Sequence, residues 1–156
     1  MQSVNWIWGL SLIALTIAIH ATGVVMMASV GLEIRARLEI RNLGLRDVIL
    51  IVTGGVGAVG LLLAVLHGIE AAIWAAAYVW LGALDSPRDA ILYSLDSMTT
   101  RGASGLMLEP PWQMMGALEA ANGMLLFGIS TAYIFAVMQV YWSMLSNLLM
   151  TRRHPR

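Results

Sequence analysis

Three long apolar runs alternate with two short polar stretches, and this pattern organises the chain. The runs extend from about Val4 to Leu32, from Val48 to Leu84, and from Trp112 to about Leu149. Each exceeds the ~20 residues that an α-helix needs to cross a hydrocarbon core of ~30 Å, so the pattern predicts three membrane-spanning helices. The first polar stretch, Glu33–Asp47, carries Arg35, Arg37, Arg41 and Arg46 against Glu33, Glu39 and Asp47. Glu33 with Arg37, and Arg35 with Glu39, stand four apart, the spacing of ion pairs on an interfacial helix. The second lies between the last two runs and centres on Tyr93–Gly105, Tyr-Ser-Leu-Asp-Ser-Met-Thr-Thr-Arg-Gly-Ala-Ser-Gly.

That second stretch opens with a helix start. Ser86 can cap, Pro87 suits the first helical position, and Asp89 completes a Ser-x-x-acid box. About four turns are expected, ending near Thr100, with Gly102 and Gly105 permitting backbone geometry that side-chain-bearing residues avoid. A helix too short to span, followed by extended backbone, is tolerated within a membrane only where protein buries it or water lines it. The pattern therefore predicts a re-entrant pore loop.

Charge supplies topology. Lys is absent, and seven of the nine Arg fall in the first polar stretch and in the tail, at Arg152, Arg153 and Arg156. By the positive-inside rule that side is cytoplasmic, which puts the N-terminus and the pore loop outside an inner (plasma) membrane. The 59% hydrophobic and 12% charged content cannot be hidden in one soluble core, and zero formal net charge argues against nucleic-acid binding. No positive segment precedes the first run, which reads as a retained anchor. The absence of Cys excludes disulfides and thiolate metal sites.

At Thr99-Thr100-Arg101-Gly102-Ala103-Ser104-Gly105 the chain resembles the tetrameric potassium-channel superfamily, in particular small bacterial ion-channel proteins with one pore loop per subunit, whose filters read Thr-Thr-x-Gly-Tyr-Gly-Asp. Tyr93, Asp96 and Trp112 stand where that family places a pore-helix aromatic, a pore-helix acid and the Trp opening the inner helix. Leu118–Ala132 looks like its inner helix. The resemblance covers roughly His67 to Val140. It implies an all-α membrane protein, a homotetrameric pore with three transmembrane helices, a re-entrant pore helix and a filter loop in each subunit. The expected divisions are an N-terminal transmembrane helix over 1–32, a cytoplasmic charged linker over 33–47, and a pore domain over 48–150. Within that domain the outer helix covers 48–84, the pore helix and filter 86–105, and the inner helix 112–149; a basic cytoplasmic tail covers 151–156. Partners are then other copies of the chain, the bilayer and inorganic ions. Permeant monovalent ions take the place of any cofactor, and no enzymatic constellation is present.

Departures from the filter alter the expected selectivity. Ala103 removes the Tyr packing, Ser104 replaces a Gly, and Gly105 replaces the acid, so strict potassium selectivity is not expected. The reading is a cation channel with weak or altered selectivity; a non-conducting homologue serving as sensor or scaffold, and an anion-passing pore lined by Arg101, stay open. Asp96, Glu70, His67, Glu119, Tyr93 and Trp112 are expected to support the filter. Asn122, Gly123, Gly128, Ser130 and Thr131 are expected to line the pore or to form a hinge or packing face on the inner helix. Arg101 is expected to point into protein and pair with Glu119 or Glu70, with Asp96 next. His20 reads as a neutral imidazole bonded to a neighbouring helix. His67 and Glu70, three apart, read as a structural hydrogen-bonded pair and no metal site is expected, since the order reverses the Glu-x-x-His of di-metal bundles and no second pair exists.

Overall fold

A computed structural model describes residues 2–39, 44–102 and 104–153. It contains α1 (Gln2–Glu39), α2 (Leu45–Trp80), α3 (Pro87–Met98), a short 3₁₀ turn at Pro110–Trp112, and α4 (Gln113–Arg153), with no strand among the described residues. The chain is all-α, and Ser3–Arg37, Leu45–Trp80 and Pro110–Trp142 are each long and apolar enough to span a membrane.

Element ends differ from the sequence expectation for local reasons. The first helix does not stop at residue 32 but runs to Glu39. Glu, Arg, Leu and Ala are good helix formers, and no Gly or Pro interrupts them between Gly31 and Gly44. Arg41 and the rest of 40–43 lie outside the described residues, as do Ala103 and 154–156. The second helix ends at Trp80 rather than 84. There Ala83 N–H bonds to Tyr78 O (2.8 Å) and Gly82 N–H to Val79 O (3.1 Å), with Gly82 at φ +67, which is a Schellman stop built on the glycine. The third helix begins as its box predicts, with Ser86 Oγ accepting from Asp89 N–H at 3.3 Å and Pro87 in the first turn. It ends at Met98, two residues before Thr100.

The chain folds as two compact units. One comprises the described residues of 1–23 together with Val65–Ile129; the other comprises Val24–Ala64 and the described residues from Ser130 onward. In the first, Leu12, Trp74, Ala75, Tyr78, Ala83, Ala90, Leu108 and Met115 form the core, with Trp8, Tyr93 and Trp112 packed against it. Outside that core the helices carry exposed Ile7, Leu61, Leu62, Met124 and Leu125, surface that lipid solvates without penalty. In the second, Gly55 of α2 lies under Tyr141 of α4: an added Cβ would stand 3.0 Å from its hydroxyl.

Candidate functional site

Three rungs of contact fix α3 on α4, and all belong to the first unit. Ser97 Oγ donates to Gly116 O at 2.9 Å. One turn along, buried Ser94 contacts Glu119 Oε1, and Tyr78 of α2 donates to Glu119 Oε2 at 2.7 Å. At the end of α3, Met98 backbone lies against Gly123, where an added Cβ would come within 2.7 Å of Met98 Cα. Residues 116, 119 and 123 recur at helical spacing on one face of α4, so the short helix is docked along a stripe of small and polar positions.

Glu119 is fully buried, which makes its hydrogen-bond accounting informative. Ser94 Oγ also lies 2.8 Å from Ala71 O. A serine hydroxyl has one proton and cannot donate to both acceptors. Both contacts are satisfied when Glu119 is a neutral acid that donates to Ser94 while Ser94 donates to Ala71 O. Tyr93 makes an edge-on contact with Tyr78, with ring centroids 5.5 Å apart, and its hydroxyl lies against Gly116. Trp112 enters at the turn that opens α4, its N–H bonded to Glu109 O at 2.8 Å.

Beyond Met98 the backbone reverses sharply. Arg101 N–H bonds back to Asp96 O at 3.0 Å and Thr100 N–H to Ser97 O at 2.9 Å, with Thr100 at φ +55. This is a second Schellman-type stop, but a β-branched Thr occupies the left-handed position that usually falls to Gly. Gly102 (φ +61) and Gly105 (φ +70) follow. Buried Asp96 holds the segment: Oδ2 accepts from Ser104 N–H at 2.8 Å, and Oδ1 from Arg101 Nε at 2.6 Å. The Arg101 side chain turns back to α3 while remaining 60% exposed in the single chain. Its partner is therefore Asp96, not Glu119 or Glu70. Those two carboxylates are fully buried among other donors, whereas Asp96 lies one helical turn back from the same loop. Thr99 and Thr100 are exposed, and a groove of about 550 Å³ beside them is lined by Asp96, Ser97, Gly102, Ser104 and Ala120.

A second polar cluster joins α1 to α2 within the same unit. His20 Nδ1 lies 2.9 Å from Glu70 Oε1 and His67 Nδ1 lies 3.2 Å from Glu70 Oε2, with His20 and Glu70 fully buried. Phe127 of α4 stacks on His67 at a centroid distance of 4.3 Å. Asn122 Nδ2 donates to Thr16 Oγ1 at 2.8 Å, and Thr16 in turn donates to Leu12 O at 2.8 Å, tying α4 to α1. Along α4, Gly123 is a buried contact point and Ser130 is buried, whereas Gly128 and Thr131 are exposed, with open space beside Gly128.

Sequence reasoning did not assign Tyr78, Ser94 or Thr16 to this framework. Thr16 and Tyr78 stand in apolar runs and Ser94 in the polar stretch beside Tyr93, and their only advance signal is that an intramembrane Glu or Asn requires donors and acceptors on a facing helix. In comparisons with family models, curated proteins and solved structures, nothing matches the chain.

Proposed function

We propose that the chain is one subunit of a pore-loop ion channel, in which four copies set Thr99–Gly105 around a common axis and pass cations with weak or altered selectivity. The observation that carries this reading is the attachment of α3. Its 12 residues extend only ~18 Å at ~1.5 Å per residue, too short for a ~30 Å core. It is nonetheless fixed to two spanning helices, through Ser94 to Ala71 and Glu119 and through Ser97 to Gly116. A short helix held this way, running straight into glycine-bearing backbone, suits a re-entrant segment enclosed by protein.

Two features favour cations. The carbonyl end of α3, the negative end of its dipole, leads directly into the loop. Pairing with Asp96 also draws the Arg101 charge back towards α3, which weighs against an anion pore lined by four guanidinium groups. One loop per chain calls for a closed symmetric ring, of four copies as the resemblance to tetrameric channels implies, and the Arg asymmetry supports a loop facing outward in an inner membrane. Ser104 N–H is committed to Asp96, and together with the missing Tyr this supports relaxed selectivity.

Single-channel recording of purified protein in planar bilayers with ion substitution tests the reading. Expected are unitary cation currents with little discrimination between potassium and sodium. A reversal potential that follows chloride would replace the cation pore with an anion pore. Silence in every ion would leave a non-conducting homologue, and a dimer as the largest cross-linked species would remove the fourfold assembly.

A further inference from the structure

We infer that His20, His67 and Glu70 form a binding site for a divalent metal ion of the zinc class, held between α1 and α2. The inference is independent of the pore reading, because it uses only these three side chains and their immediate neighbours. From the sequence, His67 and Glu70 are a lone pair; the fold adds His20 from a helix nearly fifty residues away.

The donor set and its spacing both suit such an ion. One ligand atom from each of the three residues can be chosen so that all lie within 4.8 Å of one another. Bonds of ~2.0–2.1 Å in a tetrahedral site put neighbouring ligand atoms ~3.3 Å apart. The nitrogen–oxygen separations, 2.9 Å from His20 Nδ1 to Oε1 and 3.2 Å from His67 Nδ1 to Oε2, run to different oxygens of Glu70, so a small turn of the carboxylate presents one oxygen to an ion held by both imidazoles. His67 Nδ1 and Glu70 Oε2 approach to 3.2 Å without the alignment of a hydrogen bond, the kind of approach that two ligands of one ion make. Two imidazoles and one carboxylate select a zinc-class ion over magnesium or calcium, which prefer all-oxygen sites. Three protein ligands leave a fourth position for water or an anion.

The surroundings preorganise the site. Phe127 stacks on the His67 ring with an interplanar angle of 23°, and the two imidazoles lie 5.1 Å apart, fixing the direction of the ring nitrogens. Burial of His20 and Glu70 keeps bulk water away, and the 13% exposure of the His67 side chain marks the open side by which an ion enters. The carboxylate cancels part of the ion's charge, and an anion or hydroxide at the fourth position would cancel more.

The test uses tag-free full-length protein in lipid nanodiscs, equilibrated with zinc sulfate, freed of loose metal by gel filtration and analysed for elements. One zinc per chain is expected, and cobalt in its place should show the intense visible bands of a four-coordinate ion. His20→Gln and His67→Gln should each weaken binding about tenfold or more, whereas His154→Ala, altering the third histidine of the chain, should not. Substoichiometric zinc in the wild-type protein would overturn the site without recourse to any variant. So would the weak bands of six-coordinate cobalt, binding that survives His67→Gln, or binding lost with His154→Ala.

Discussion

The backbone of Met98, at the end of α3, rests directly on Gly123 of α4, where an added Cβ would stand 2.9 Å from the Met98 carbonyl carbon and closer still to its oxygen. Backbone cannot swing aside as a flexible side chain can, so Gly123→Ala must push α3 away from α4. Overpacking of this kind costs about 1–3 kcal/mol. Gly128→Ala, with open space around it, serves as the control and should leave stability unchanged or slightly raised. Thermal unfolding of the two variants in the same detergent checks the contrast; equal midpoints would mean that the α3–α4 contact is looser than described.

For Glu119 the prediction follows from its partners. A neutral acid donating to Ser94 and accepting from Tyr78 is matched atom for atom by a glutamine, whose amide donates and whose carbonyl accepts. Glu119→Gln should therefore cost less than about 1 kcal/mol, whereas Glu119→Leu strands the Tyr78 hydroxyl and should cost about 1–3 kcal/mol. Circular-dichroism melts measure both. A Gln variant as damaged as the Leu variant would show that Glu119 is held ionised.

How much of this was legible beforehand depends on what each residue answers to. Three spans and the start of α3 could be read directly, because length of apolar run and the Ser86-Pro87-x-Asp89 box are local signals. The stop at Trp80 was legible in principle, since Gly82 supplies the left-handed position, but apolar Leu81, Ala83 and Leu84 masked it. Partner choice was not legible. Arg101 could have met any of three carboxylates by depth alone, and only packing shows that Glu70 is taken up with His20 and His67, and Glu119 with Tyr78 and Ser94. For His20 a bond to a neighbouring helix was legible but the partner Glu70 was not, because polar residues of the apolar run, Asn5, Thr16 and His20, form a buried stripe with Leu12 only once neighbours are placed.

Asp96 performs two tasks, and they separate by mutation. Arg101→Gln removes one charge-assisted bond from a side chain that is largely exposed, so its effect on the stability of the single fold should stay below about 1 kcal/mol. Asp96→Asn also disturbs the bond from Ser104 N–H and should cost more, about 1–3 kcal/mol. A double-mutant cycle should therefore give a small coupling and unequal single effects. Equal effects, with the double no worse than either, would mean that the Arg101 pair is the whole role of Asp96.

Thr100 is the one described non-glycine residue with positive φ, at +55, and it sits where the loop leaves α3. A β-branched side chain in that region is strained by roughly 1–3 kcal/mol, whereas glycine adopts it freely. The hydrogen bonds closing the turn come from the backbone N–H groups of Thr100 and Arg101, so exchanging the side chain does not remove them. Thr100→Gly should accordingly keep or raise the melting temperature, and Thr100→Val, which retains the branch but loses the hydroxyl, should not raise it. If strain is tolerated here because the exposed hydroxyl contacts permeating ions, both variants should change unitary conductance even where stability is preserved or improved. Recording Thr100→Gly and Thr100→Val beside the wild-type protein separates the two contributions. Conductance unchanged in both, with Thr100→Gly more stable, would leave the hydroxyl without a part in permeation and would weaken the pore reading.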